Sequence, residues 1–322
     1  MNYIAYKLAF KTGVHLGNNS LSDGEAIFHA DSLFSALCIE AVKNSEDELN
    51  KMHSLFSNAS LSISDAFPFV ENTLFIPKPC CYIERKEDKN TGSSEEKKRQ
   101  KKLKYISIDN FDKYFTSTLD TTAELEKIKK LGSFSLKTSV EVSRTEVPTP
   151  FEIGVYTFNK NCGLYVIVGY DNEDNRYWLE EYLEGLSYVG VGGKKSAGLG
   201  KFTLKPKKLP DEFIGRLSAE SNKYMLLSVA LPTADEMNTA VKNAEYSLIK
   251  RSGFISSSTY SNTFERKKDI YIFDAGSCFT NKFSGDIYDV SRKGNHPVYK
   301  YAKPMWLGVW LWVKIKKIIK LF

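Results

Sequence analysis

The run Ile4-Ala-Tyr-Lys-Leu-Ala-Phe-Lys11 sets the fold. Ile4, Tyr6, Leu8 and Phe10 fall on one side of an extended chain and Ala5, Lys7, Ala9 and Lys11 on the other, the period of two that marks a half-buried β-strand. The strand leads through Gly13-Val-His-Leu-Gly-Asn-Asn19 into a helix in which Leu33/Phe34, Leu37/Cys38 and Ala41/Val42 recur at helical spacing. Asp31 lies in that helix's first turn, where a carboxylate suits the dipole.

Further along, residues 84–104 are almost wholly charged and polar and offer no burial to offset the cost of ordering, so a mobile insertion is expected there. Phe134–Phe158, rich in Ser, Thr and Val and closed by Pro148-Thr-Pro150, reads as an extended arm or hairpin carrying Arg144. A core strand is expected at Leu164–Tyr170. Trp178/Leu179, Tyr182/Leu183 and Leu186 then give an amphipathic helix, followed by a glycine loop and a strand over Lys201–Lys205. The order is β, α, an elaborated β region, α, glycine loop, β, which suits an α+β ferredoxin-like unit with a large insertion.

Lys205-Pro-Lys-Lys-Leu-Pro-Asp211 reads as a linker. Beyond it, strands are expected at Tyr224–Leu231, Ile249–Ser256, Asp269–Phe273 and Gly285–Val290, with a helix over Ala234–Tyr246. The fold class is therefore α+β, with two ferredoxin-like (RRM-like) domains and a thumb-like β insertion in the first. Residues 1–205 form the first domain, with the insertion at about 80–158 and the glycine-rich loop at 190–200; residues 211–309 form the second, and 310–322 an atypical basic and apolar tail.

Composition narrows the function classes. Hydrophobic residues make up 42% of the 322 residues, enough for a core in each domain. The net charge is +6, and the stretch from Gly190 to Pro210 holds six lysines (Lys194, Lys195, Lys201, Lys205, Lys207, Lys208) and no acid, which equals the whole excess. Five cysteines without a C-x-x-C pair and four histidines give neither a disulfide framework nor zinc-ligand spacing, and point to a reducing cytoplasm. No signal peptide is apparent, and the longest apolar run, Met305–Val313, falls short of the roughly 20 residues a membrane span needs. A soluble protein is expected.

The glycine loop reads V-G-V-G-G-K-K-S-A-G-L-G-K-F from Val189. Its glycines allow positive φ and let a ligand approach main-chain N–H groups, while the lysines add charge at the same place. The phosphate-binding Walker pattern fails because Leu199 stands where lysine must be, and G-x-G-x-x-G fails at Lys195. Both motifs also need strand, glycines, helix, and here the loop follows a helix and precedes a strand. A cationic grip on a polyanion backbone remains.

These segments resemble the RAMP superfamily of CRISPR proteins. Tyr6-Lys-Leu-x-Phe10, Gly13-Val-His-Leu-Gly17, Phe28-His-Ala-Asp-Ser-Leu-Phe-Ser-Ala-Leu-Cys38, Arg144 through Phe158, Arg251-Ser-Gly-Phe-Ile255 and Gly294-Asn-His-Pro-Val-Tyr-Lys-Tyr301 are similar to the family of fourth subunits of the type III-A Csm effector complex. The resemblance implies a non-catalytic, cofactor-free cap that holds the 5′ repeat-derived tag of the CRISPR RNA (crRNA). Its implied partners are the large polymerase-like subunit and the first backbone RAMP subunit, with target RNA engaged indirectly and no membrane. It also implies RNA-facing positions: His15, Phe28, His29, Ser32, Arg144, Gly190, Gly192, Gly193, Lys194, Lys195, Ser196, Gly198, Lys250, Arg251, Arg292, Gly294 and His296.

Two other readings compete. His15 and His29 are the only pair suggesting catalysis, as a metal-independent endoribonuclease that processes the CRISPR precursor; a protein-binding scaffold is the third. Asp23 and Asp31 are too few and too far apart to argue for a metal. Phe254, Tyr260, Phe264, Tyr271 and Phe273 can stack bases, though alternation assigns most of them to the core.

Overall fold

A computed structural model describes residues 1–17, 20–81, 94–141, 149–255, 257, 259–261, 263 and 265–309. The first strand, β1 (Asn2–Phe10), enters the middle of a sheet rather than its surface. Helices α1 (Ala30–Asn44) and α2 (Glu46–Ser57) follow, split at Ser45, whose hydroxyl accepts the Glu48 amide and starts α2. Then come β2 (Leu61–Ile63), β3 (Phe67–Val70) and β4 (Thr73–Pro77).

Of the polar stretch 84–104 expected to be a mobile insertion, residues 84–93 lie outside the described residues, and the remainder forms a helix, α3 (Ser94–Lys102), followed by the buried Leu103. That single apolar residue, with Lys78 donating to the Gln100 carbonyl and to Lys104 through its amide, ties down a segment whose composition gave no hint of order. Strand β5 (Tyr105–Ser107) and helices α4 (Phe111–Phe115) and α5 (Thr121–Lys129) complete the insertion's base.

The expected arm is a hairpin of β6 (Gly132–Glu141) and β7 (Thr149–Phe158), in register from Gly132–Phe158 to Glu141–Thr149. Strand β8 (Cys162–Tyr170) is buried at every position, as its continuous Leu-Tyr-Val-Ile-Val run requires when both faces are covered. Helix α6 (Glu173–Val189) and β9 (Phe202–Lys207) close the first sheet, whose order is β5-β4-β3-β8-β1-β9, with β2 also on β8. Strand β9 runs past Lys205 to Lys207, so the stretch read as a linker begins inside the sheet. Its Pro206 sits opposite Tyr6 on the edge strand, where a missing N–H costs no ladder bond.

The rest of the chain is more broken than its periodicity suggested. Helix α7 (Asp211–Ser218), unforeseen, precedes β10 (Tyr224–Leu226), and α8 (Ala234–Ala240) stops well short of Tyr246. Strands β11 (Leu248–Arg251) and β12 (Ile270–Phe273) pair, β13 (Cys278–Phe279) and β16 (Trp306–Gly308) flank β10, and β14 (Asp286–Asp289) pairs with β15 (Tyr299–Ala302).

The first sheet is covered on one face and, around Ala5 and β8, on the other as well, so β1 is more buried at Ala5 than the half-buried reading allows, while the second face stays open toward Lys7 and β9. On one face Tyr6 and Leu8 join Leu33, Phe34 and Leu37 of α1 and Leu179, Leu183 and Leu186 of α6. On the other, Ala5, Tyr165 and Ile167 meet Phe213 and Leu217 of α7 and Met225 and Leu227. The first core also takes residues from far along the chain: Tyr301 packs against Phe34 at 5.4 Å and Phe56 at 5.7 Å between ring centroids.

Candidate nucleic-acid interface

The loop after β1, the start of α1, the glycine loop and the segment after β11 converge on one cavity of about 470 Å³. Seven of the residues singled out in the sequence line it: His15, Phe28, His29, Ser32, Gly192, Gly193 and Arg251. Glu25 and Phe254 line it as well. Phe254 is 59% exposed, with the Arg266 guanidinium 5.5 Å from its ring centroid. Tyr260 and Phe273 are buried, Tyr271 is exposed but off the cavity wall, and Phe264 lies outside the described residues. Of these aromatics, among the described residues, it is Phe254 that presents its ring at this cavity.

The glycine loop is a built structure. Gly190, Gly192, Gly198 and Gly200 have φ between +79° and +90°, and Lys194 is left-handed at +57°. The amides of Gly190, Val191, Gly193 and Gly200 donate to Leu186, Gly200, His15 and Gly13 carbonyls, and those of Ala197 and Gly198 close a single 3₁₀ turn. The expectation of a loop full of open N–H groups thus narrows, among the described residues, to Gly192, Lys194, Lys195, Ser196 and Leu199. The loop packs against the hairpin: Leu199 joins Ile153 and Val155, and the Lys194 ammonium lies 4.8 Å from the Phe151 ring centroid.

Both histidines are held by their Nδ1. His15 donates to the Gly154 carbonyl at 2.7 Å, which leaves Nε2 as an acceptor. His29 donates to Asp65 at 2.6 Å, and the other Asp65 oxygen takes the amides of Ala30 and Val229. His29 stands at the helix's capping position, but Asp65 supplies the cap from another element. Burial works against a charged His29 imidazole; the Asp65 carboxylate outweighs it and raises the pKa.

Beneath the cavity, Asp31 has no solvent exposure. Its carboxylate takes Arg251 at 2.9 and 3.0 Å and also pairs with the buried Lys300. Arg251 donates to Ser32 as well, at 2.8 Å. Burial alone would raise the Asp31 pKa, but Lys300 and Arg251 hold it well below the carboxylate range. Asp31 is therefore an ionic anchor from α1 to β11 and β15, not merely a dipole partner, and Arg251, which also lines the cavity, is one of the two cations it holds. The ligand-capable atoms of His29, Asp65 and Asp274 lie within 4.8 Å of one another. A cation there would have to displace the hydrogen bonds already on Asp65, beside the Arg251 charge. Asp23 accepts the Ser20 amide at 3.0 Å.

The remaining candidates lie elsewhere. Lys250 alternates to the opposite side of β11 from Arg251 and pairs with Asp269 at 2.7 Å. Arg292, Gly294 and His296 gather around the buried Tyr260. Its hydroxyl accepts the Arg292 amide at 2.7 Å, its ring would lie 2.2 Å from a Cβ on Gly294, and it meets the His296 ring at 5.3 Å. None of these four lines the cavity. Arg144 lies outside the described residues, as do Asn18, Asn19 and the 310–322 tail. Asp65 and Lys300 escaped the sequence reading because no local pattern marks an acid or lysine whose partner is remote in the chain, and Glu25 because only the folded loop brings it to the cavity.

A profile of the RAMP superfamily matches residues 7–203, and one of the CRISPR Csm4 C-terminal domain matches residues 219–309. A Mycobacterium tuberculosis protein, "CRISPR system Cms protein Csm4", is 33% identical over 297 residues, covering 92% of this chain and 94% of its own. The Streptococcus thermophilus protein of the same name is 32% identical over 314 residues, covering 95% and 98%. The chain therefore belongs to the RAMP superfamily and, within it, to the Csm4 family. Among solved structures, the Csm3-Csm4 subcomplex of the type III-A CRISPR-Cas interference complex matches with a TM-score of 0.65 at 23% identity over 96% of this chain and 99% of that one. A Csm1-Csm4 cassette with AMPPNP matches with a TM-score of 0.60 at 20% identity, covering 96% and 98%. These likenesses establish the shared fold.

Proposed function

We propose that this chain is the non-catalytic RNA-binding subunit of a type III-A Csm interference complex. It holds the 5′ repeat-derived tag of the crRNA and anchors the large polymerase-like subunit and the first backbone RAMP subunit; target RNA is engaged indirectly, in the cytoplasm. The observation that carries the reading is a cavity that draws its lining from both family-matched regions and joins a glycine loop, two oriented histidines and an exposed aromatic. The solved Csm3-Csm4 subcomplex and Csm1-Csm4 cassette support the two protein contacts.

In this reading a splayed base stacks on Phe254. Glu25 accepts from an exocyclic amino group, and His15 Nε2 accepts a second hydrogen bond. Lys194, Lys195 and the open amides around them hold phosphates. The order β9-β1-β8-β3, with helical crossovers on one face, supports a ferredoxin-like unit over residues 1–205, with the β6–β7 hairpin as its thumb. Residues 211–309 form the second such unit in this proposal.

Sequencing the RNA that co-purifies with the tagged chain and its neighbours tests the reading. A shared repeat-derived 5′ end is expected, and random cellular RNA would refute it. Incubation with labelled repeat RNA in EDTA should give no cleavage; clean cleavage lost in His15→Ala or His29→Ala would replace the proposal with the processing nuclease.

A further inference from the structure

The register of β1 on β9 places lysines opposite one another. Lys7 faces Lys205, Ala5 faces Lys207, and the Lys11 amide donates to the Lys201 carbonyl at 2.8 Å just beyond the Phe10–Phe202 pair. Side chains alternate along a strand, so Lys7, Lys11, Lys201, Lys205 and Lys207 share the face opposite to Tyr6 and Leu8. All but Lys7 are exposed, and Lys7 is half-buried. Among the described residues, no carboxylate lies within ion-pair distance of any of the five. At one end Asp109 and Asp211 line a cavity with Lys207, and Lys208 pairs with Asp211.

Like charges directly opposite on neighbouring strands destabilise a sheet. The cost is visible at Lys7, whose ammonium pKa is depressed by burial and then by Lys207 and Lys205. Lysines and a proline on an edge strand also discourage pairing with other chains, and that accounts for Lys205, Pro206 and Lys207. Lys7 is held on the inner strand by its ammonium, which donates to the Glu71 carbonyl at 2.9 Å and lies 4.3 Å from the Phe69 ring centroid; edge protection does not account for Lys11, which follows the inner strand and points to the same face. Four exposed cations without an acid partner among the described residues, with Lys7 half-buried behind them, suit a ligand that carries one negative charge per repeat.

We propose that the β1–β9 lysine row is a second nucleic-acid contact, a track for the phosphodiester backbone of single-stranded RNA that begins where the glycine loop ends at Lys201. From residue 201 to 207 the strand rises about 20 Å. That length accommodates about four nucleotides, the lower end of single-strand site sizes. The row offers ammonium groups and no base-reading pocket, so its contribution is independent of sequence.

The test uses the full chain and fluorescein-labelled single-stranded RNA of 20 nucleotides, with anisotropy measured across a salt series. The triple variant Lys201→Ser/Lys205→Ser/Lys207→Ser should bind at least tenfold more weakly at low salt. Its slope of log affinity against log salt should fall by about 2, from about 0.7 per lost contact. Melting of the variant should be unchanged or higher, since the substitutions relieve repulsion. An unchanged slope would overturn the track, as would an equal loss of affinity with a lowered melting temperature that the single variants Lys205→Ser and Lys207→Ser do not share. The tag reading fails separately: it fails if the wild-type chain shows no preference for a repeat-derived over a scrambled 5′ end, whereas the track predicts equal losses on both.

Discussion

Phe254 and Asp31 illustrate how much one side chain decides here. A large apolar ring left 59% exposed beside a cavity with polar walls has no core to join. Stacking on such a ring contributes about 1–3 kcal/mol per base, so Phe254→Ala should weaken binding of a repeat-derived RNA roughly 5- to 150-fold. Tyr271, equally exposed but off the cavity wall, provides the control: Tyr271→Ala should leave that affinity unchanged. At Asp31, removing the carboxylate strips the buried Lys300 and the half-buried Arg251 of their shared counter-ion, and Asp31→Ala should cost about 3–5 kcal/mol in urea unfolding. The pH dependence has a definite sign. The folded pKa of Asp31 lies below its unfolded value, so its stabilisation is present above about pH 4 and is lost as pH falls further. His29 is raised, so its stabilisation is present below about pH 6.5 and is lost as pH rises through the folded pKa. Unfolding free energies at pH 3, 4 and 7 should therefore drop on the acid side, and Asp31→Asn should flatten that limb; an equally steep acid limb in the variant would refute the assignment.

At the scale of elements, the glycine loop separates two roles that its sequence merges. Gly198 has φ of +82° and open space around its Cβ position, whereas at Gly200 a Cβ would sit 2.0 Å from the Val191 carbonyl oxygen. Gly198→Ala should cost about 1–2 kcal/mol from the left-handed backbone alone. Gly200→Ala must in addition break the Val191–Gly200 pairing, and should cost distinctly more and lower RNA affinity with it; equal stability losses in the two variants would contradict this geometry. Elements with strong periodicity were legible: the alternation of β1, the apolar run of β8 and the helical spacing of α1 and α6 are fixed by burial of whole faces. The C-terminal elements were legible only in outline, because β10, β11 and β14 are short and owe their ends to tertiary partners, as α8 does to the turn at Asn243. Helix α3 escaped because one buried leucine outweighs a polar composition. The site was half legible. The glycine and histidine positions announce themselves by residue type, but the commitment of Arg251 to Asp31 depends on two residues 220 apart in sequence.

The whole molecule is knit together more tightly than a chain of two domains and a linker. Tyr301, close to the end of the described chain, lies fully within the core built on β1, α1 and α6, touching Phe34 and Phe56, and its hydroxyl accepts the Ile63 amide. Val229, Ile272 and Ile287 enter the same core, and Lys300 beside Tyr301 completes the Asp31 anchor. Cores that share residues unfold together, because neither half can lose its partner without exposing its own apolar surface. The intact chain should therefore show one transition in urea, coincident by far-UV circular dichroism and by tryptophan fluorescence. Trp178 on α6 and Trp306 on β16 report from opposite halves. Tyr301→Ala, which empties an aromatic site between two helices and a strand, should lower the stability of that whole transition by about 3–5 kcal/mol. Two resolved transitions in the wild-type chain, with only the second moved by Tyr301→Ala, would mean that the halves fold independently and that the shared core does not couple the two sides of the cavity.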